Sequence, residues 1–259
     1  QYAGTRLYAE LNGLRYALPR WQGNDIFQNI SSYTAYEYVI SRFLPTCQLD
    51  DLPANTPFER VRHIVYGYRL PHTISLADLY AHPRDNINIY GYLQERIGIT
   101  ILLRHKEQVR QWFMPREKIE NAMRKATENL GPYVGVHIRR GDWVRLGIAP
   151  PIEPIKELIA KVRGNRHVVV CSDSPEVLSI LEPIGITRVA SPLTELDPAI
   201  TDFMLLRNAA TIIGSGSTFS WWAAYLGNRN DYYAPSNHGW DKEKGLPIRK
   251  HDLNAFLVK

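Results

Sequence analysis

A chain of 259 residues, 44% hydrophobic and 22% charged, has enough apolar material for one large domain or two modest ones and lies outside the composition of disordered chains. Its formal net charge of +5 suits an anionic ligand or an anionic membrane surface, while scattered lysines and arginines without a dense basic helix speak against nucleic acid. No run reaches the length of a membrane-spanning helix, and Cys47 and Cys171 form neither a disulfide framework nor a zinc pattern, so they read as free thiols. The sequence opens at Gln1 without a leader-like charge pattern, and an N-terminal anchor further upstream is compatible with it.

Tyr2, Leu7 and Leu11 fall at roughly helical spacing, and Asn12-Gly13 supplies a stop, which predicts a first helix up to residue 11. Residues 14–18 read as a short strand. From Pro19 to about Thr73 the chain is aromatic but lacks clean periodicity. Eleven of its fifteen tyrosines lie at or before Tyr92, an enrichment that suits stacking on sugar rings as well as filling of a loop-rich core. Residues 87–93 read as a strand, 94–113 as a helix and 117–129 as another, ending at Gly131-Pro132.

Beyond that point strands and helices alternate. Residues 133–138 form a strand, 153–163 a helix, 167–171 a strand, and Ser174-Pro175-Glu176 opens a helix. A strand at 187–190 follows, then a helix from Asp197-Pro198 to residue 208, a strand at 211–213 and a helix at 219–226. This order predicts an α/β fold with a mostly parallel sheet covered on both faces, and a domain boundary near residue 130.

Loops leaving consecutive parallel strands gather at one sheet edge, so three of them define a candidate site. Arg139 and Arg140, with Asp142 close behind, follow the first strand, and their guanidinium forks match phosphate oxygens. Surface charges paired with a carboxylate are the alternative. Asp173 follows the second strand and reads either as an acceptor for a base or ribose or as a turn residue. The third loop carries Gly214, Ser215, Gly216, Ser217, Thr218, Phe219 and Ser220 into a helix start, where backbone amides and hydroxyls favour a phosphate or simply cap the helix. His137, inside the first strand, reads as a hydrogen-bonded core histidine rather than a base. No D-x-D triplet is present, so no metal or other cofactor is expected, and arginines and amide dipoles would stabilise a leaving diphosphate in a metal's place.

VGVHIRRGD, the CSDS segment and STFSWWAAYL, in that order, resemble the α-1,2-fucosyltransferases of glycosyltransferase family 11, within a wider group sharing an H-x-R-R motif with α-1,6- and protein O-fucosyltransferases. QYAGTRLYAELNG is similar to that family's first helix, and YGYLQ at 90–94 to its G-Y-F-Q segment, with leucine for phenylalanine. The resemblance implies a GT-B-like fold of two closely packed α/β domains: residues 1–130 on the acceptor side, with a truncated start, and residues 131–259 as a Rossmann-like GDP-sugar domain. It implies inverting, metal-independent transfer of L-fucose from GDP-β-L-fucose to a galactose 2-hydroxyl of a glycan. Arg139 and Arg140 would contact the β-phosphate, Arg139 the more critical, with Asp142 as a third catalytic candidate. Asp173 would lie near the guanosine and residues 217–220 around the diphosphate, while His137, Ser215 and Tyr92 complete the substrate-binding set. Pro175 after CSDS departs from many relatives.

The partners implied are GDP-fucose and a galactose-terminated glycan, without nucleic acid, with peripheral membrane association as an option and the oligomeric state open. Trp21, His63 and Tyr92 are acceptor candidates. The compartment would be a bacterial cytoplasm or, for a eukaryotic source, the Golgi lumen. Rival readings are a related GDP-sugar transferase with another acceptor or sugar, and a non-catalytic GDP- or glycan-binding module.

Overall fold

The computed structural model describes residues 2–49, 72–91, 96–227, 231–235 and 248–251. The chain divides between Arg116 and Glu117 into two compact units. The division precedes Gly131-Pro132 because the helix Glu117–Thr127 buries Ile119 and Met123 and packs against the helix Pro198–Asn208 of the second unit. Among the described residues, no helix is long and apolar enough to cross a membrane.

The first unit holds a parallel sheet of β1 (Thr46–Leu49), β2 (His72–Ile74) and β3 (Asn88–Tyr90), in the order β2-β1-β3. Its core joins Tyr8, Cys47, Leu49, Ile74, Leu76 and Leu79; of the stripe expected on the opening helix Tyr2–Leu11, Tyr2 and Leu7 are buried, whereas Leu11 at its end is exposed. Residues 14–18 form no strand. The amide of Leu14 is spent on closing the helix, donating to the Ala9 carbonyl at 2.8 Å, and the Leu18 carbonyl accepts from Tyr33 instead of a sheet neighbour. The helix expected over 94–113 is two, Arg96–Arg104 and Lys106–Trp112, with His105 at φ −108° and ψ 26° between them. Trp21 lies over Tyr2, Phe27 and Phe113, so much of its ring serves packing; Tyr92 and His63 lie outside the described residues.

The second unit is built on β4 (Val134–Ile138), β5 (Val168–Ser172), β6 (Thr211–Gly214), β7 (Tyr232–Pro235) and β8 (Ile248–His251), in the order β5-β4-β6-β7-β8. Neighbours pair in parallel except β8, which runs antiparallel to β7. One face of β4 presents Val134, Val136 and Ile138 to Ile155, Ile159, Val177 and Leu181, all fully buried. Each such side chain contributes roughly 1.5–3 kcal/mol through burial. Helices cover the other face too, and every residue of β4 is buried, which is why it reads as a continuous apolar run. The strand expected at 187–190 reduces to a single bridge between Thr187 and Val169. Beyond it the Ser191 hydroxyl bonds to Thr201 at 2.6 Å, turning the chain toward the helix Pro198–Asn208.

Candidate functional site

From β4 the chain crosses to β5 on one side of it and later returns to β6 on the other. That reversal leaves a crevice at the carboxyl ends of β4 and β6, the place where open α/β sheets take ligands. Arg139 follows β4 there, and Ser215 follows β6. The two exits are tied together, because the Arg139 amide donates to Ser215 Oγ at 3.1 Å.

The two arginines are placed differently. Arg139 keeps 38% of its side chain exposed; its Nε donates to Asp142 Oδ1 at 3.2 Å and its Nη2 to both carboxylate oxygens at 3.1 and 3.0 Å. Its guanidinium carbon lies 5.4 Å from the centre of the Trp143 ring. Asp142 therefore occupies one edge of the five-donor fork, and no described residue bonds Nη1. The same hydrogen bond holds the Asp142 carboxyl below the usual carboxylate range. Arg140 is 22% exposed and turns toward Pro150 and Glu176. Its Nε lies 3.5 Å from Glu176 Oε1, near enough for an ion pair but not aligned as a hydrogen bond, so that buried nitrogen has no hydrogen-bond partner.

Between these arginines and residue 150 the sequence suggested no element, yet Gly141–Leu146 is a helix. Its first amides are capped from a distance: Asp173 Oδ1 accepts from Arg140 at 2.7 Å and from Gly141 at 3.2 Å.

At the exit from β6, where the sequence offered hydroxyls either to a phosphate or to the helix cap, most of them turn inward. Ser215, Ser217 and Ser220 are all buried. Ser217 Oγ accepts the Phe219 amide and so caps the helix Thr218–Gly227. Ser220 donates to the Ser217 carbonyl at 3.0 Å and lies 3.2 Å from the Tyr232 hydroxyl. A Cβ on Gly214 would stand 2.4 Å from Ser220 Oγ and 3.0 Å from the Tyr232 ring, so this glycine serves internal packing rather than approach of a ligand. What faces outward is Thr218, beside the half-buried Gly216 at φ 83°, at the start of a helix whose first amide, unlike that of Phe219, has no intrahelical partner.

His137 is 8% exposed and its Nδ1 has no hydrogen-bond partner among the described residues, unlike the bonded histidine the sequence suggested. Burial pulls its pKa down to about 4, only partly opposed by the charge of Asp173, so the ring is neutral near pH 7. It lies 5.0 Å from the ring of Phe219, which meets Phe203 edge-on. Its register partner Cys171 donates to the Asp202 carbonyl at 3.7 Å, and burial raises the carboxyl of Asp202. Sequence reasoning placed Ser172 and Glu176 in the loop after the second strand without a role of their own and passed over Asp202, which sits mid-helix, where only its burial marks it. Among the described residues, no group of three or more His, Cys, Asp or Glu side chains is placed to hold a metal ion.

The fold is the GT-B-like α/β fold of solved fucosyltransferases. Fucosyltransferase NodZ from Bradyrhizobium aligns with a TM-score of 0.61 at 16% identity, over 97% of this chain and 92% of that one. POFUT1 in its apo form gives 0.53 at 16% identity, over 90% and 91%. POFUT1 in complex with GDP-fucose gives 0.51 at 14%, over 88% and 89%. Residues 85–244 match the model of glycosyl transferase family 11, and the chain belongs to that family. No curated protein matches the sequence.

Proposed function

We propose that the chain is an inverting, metal-independent fucosyltransferase that moves L-fucose from GDP-β-L-fucose to a galactose 2-hydroxyl of a glycan. Membership of glycosyl transferase family 11 supports group transfer to a glycan, and POFUT1, which shares the fold, has been solved with GDP-fucose. The observation that carries the reading is Arg139, partly exposed at the switch point of the parallel sheet with one edge of its guanidinium unengaged.

As the bond from fucose to GDP lengthens, positive charge grows at the anomeric carbon and negative charge on the β-phosphate. Arg139 Nη1 and the Thr218 amide at the start of the helix Thr218–Gly227 are the donors for that phosphate, set before the reaction begins. Asp142 orients Arg139. Its lowered pKa and its engagement with the guanidinium make it a weak proton acceptor, so stabilisation of the leaving group carries most of the rate.

The test is transfer from GDP-fucose to galactose-terminated oligosaccharides in EDTA, with the product linkage determined and GDP-mannose run in parallel. The reading predicts an α-1,2-fucosylated product, undiminished by EDTA, and none from GDP-mannose. GDP binding without turnover on any acceptor, or strict dependence on Mn²⁺, would overturn it.

A further inference from the structure

Four consecutive residues leaving β4 have a backbone group held by a side chain from a neighbouring strand exit. Ser172 Oγ donates to the Ile138 carbonyl at 2.7 Å, and Ser215 Oγ accepts from the Arg139 amide at 3.1 Å. Asp173 Oδ1 takes both of the next two amides, those of Arg140 and Gly141. The carboxylate is pressed against the backbone, since a Cβ on Gly141 would stand 2.7 Å from Asp173 Oδ2. Ser172 Oγ in turn accepts the Ser174 amide at 3.2 Å, which braces the CSDS turn itself.

We propose that Asp173 is a positioning residue: its carboxylate clamps the turn at residues 139–141 so that Arg139 and Arg140 leave β4 in divergent directions, with Arg139 toward the crevice. The clamp deepens the fucosyltransferase reading and rests on it for its catalytic consequence. Without it the two amides at the start of the helix Gly141–Leu146 lose their acceptor, and the peptide joining Arg139 to Arg140 is free to rotate while Ser215 still holds the Arg139 amide. A long side chain amplifies such a rotation, and misplacing a catalytic group by about 1 Å costs on the order of 10²-fold in rate. Asp173 thus acts through backbone amides instead of through the guanosine.

Two measurements on Asp173→Ala and Asp173→Asn test this. Hydrogen exchange at the Arg140 and Gly141 amides should quicken by about tenfold or more in Asp173→Ala, the loss of a charge-assisted hydrogen bond, and return toward wild type in Asp173→Asn, which keeps an Oδ1 acceptor. In parallel, Asp173→Ala should lower kcat by on the order of 10²-fold, add little to the defect of Arg139→Ala, and leave affinity for GMP, which lacks the β-phosphate, unchanged. Exchange unaltered in Asp173→Ala would overturn the clamp. Equal losses of GMP and GDP affinity, or a defect that simply adds to that of Arg139→Ala, would return Asp173 to direct ligand contact. If the wild-type chain transfers no fucose, the functional reading fails, and the exchange measurement still decides whether the clamp exists.

Discussion

The two strand exits that flank the switch point are built in opposite ways. The exit from β4 pins its backbone with side chains from its neighbours and leaves the Arg139 guanidinium partly in the open. The exit from β6 does the reverse, burying Ser215, Ser217 and Ser220 and turning its backbone and the helix start outward. One side offers a formal charge on a long side chain, the other fixed dipoles that need no side chain at all. Hydroxyls that read as ligands in the sequence are therefore mostly internal fastenings, so changes at the β6 exit should register in stability and changes at the β4 exit in chemistry.

His137, inside β4 and in register with Gly214 of β6, should give the greatest stability effect. Its pKa is depressed in the folded chain to about 4, from 6.5, so the unfolded state binds more protons between those values. Stability is complete above about pH 6.5 and falls as the pH drops toward 4, by up to about 3 kcal/mol. Asp202, whose carboxyl is raised by burial, acts in the opposite sense as the pH falls, so the comparison is made in Asp202→Asn: there His137→Leu should flatten that part of a denaturation profile measured from pH 7 to 4, and a profile already flat with His137 in place would show the imidazole to be better solvated than its burial indicates. Asp142 is not a confounder there, because a depressed carboxylate loses its contribution only below its ordinary pKa of 3.8.

Gly214→Ala would place a methyl against Ser220 and the Tyr232 ring, and an overpacked core typically costs 1–3 kcal/mol, about the range expected in its denaturation midpoint. Adding Ser220→Ala should recover part of that loss, while a kcat defect without loss of stability would break the contrast between the exits. Ser217→Ala removes the hydroxyl that receives the Phe219 amide and should cost about 1 kcal/mol, with Ser217→Gly costing only a few tenths. Thr218→Ala changes an exposed side chain and should move stability by less than about 0.5 kcal/mol. If GDP binding also stays near wild type, the phosphate contacts at this exit come from the backbone.

Much of this fold was legible because its second unit follows local rules. The helix Pro198–Asn208 starts where Asp197-Pro198 says it should, with Asp197 accepting the Ala199 amide at 2.9 Å, and the apolar run before Arg139 is a strand buried on both faces. The helix Gly141–Leu146 was not legible, since its cap comes from Asp173 across the strand exit and no local pattern announces it. The inward turn of Ser220 depends on the fit of Gly214 against Tyr232, a tertiary contact with no sequence period. The expected strand at 14–18 failed for a related reason, since its first amide was already committed to the preceding helix.

If Arg139 carries the charge of the departing diphosphate, kcat for GDP-fucose transfer by folded Arg139→Ala is the quantity that must change. The variant should lose on the order of 10²–10³-fold with its thermal midpoint nearly unchanged. Retention of most of the wild-type rate would contradict it.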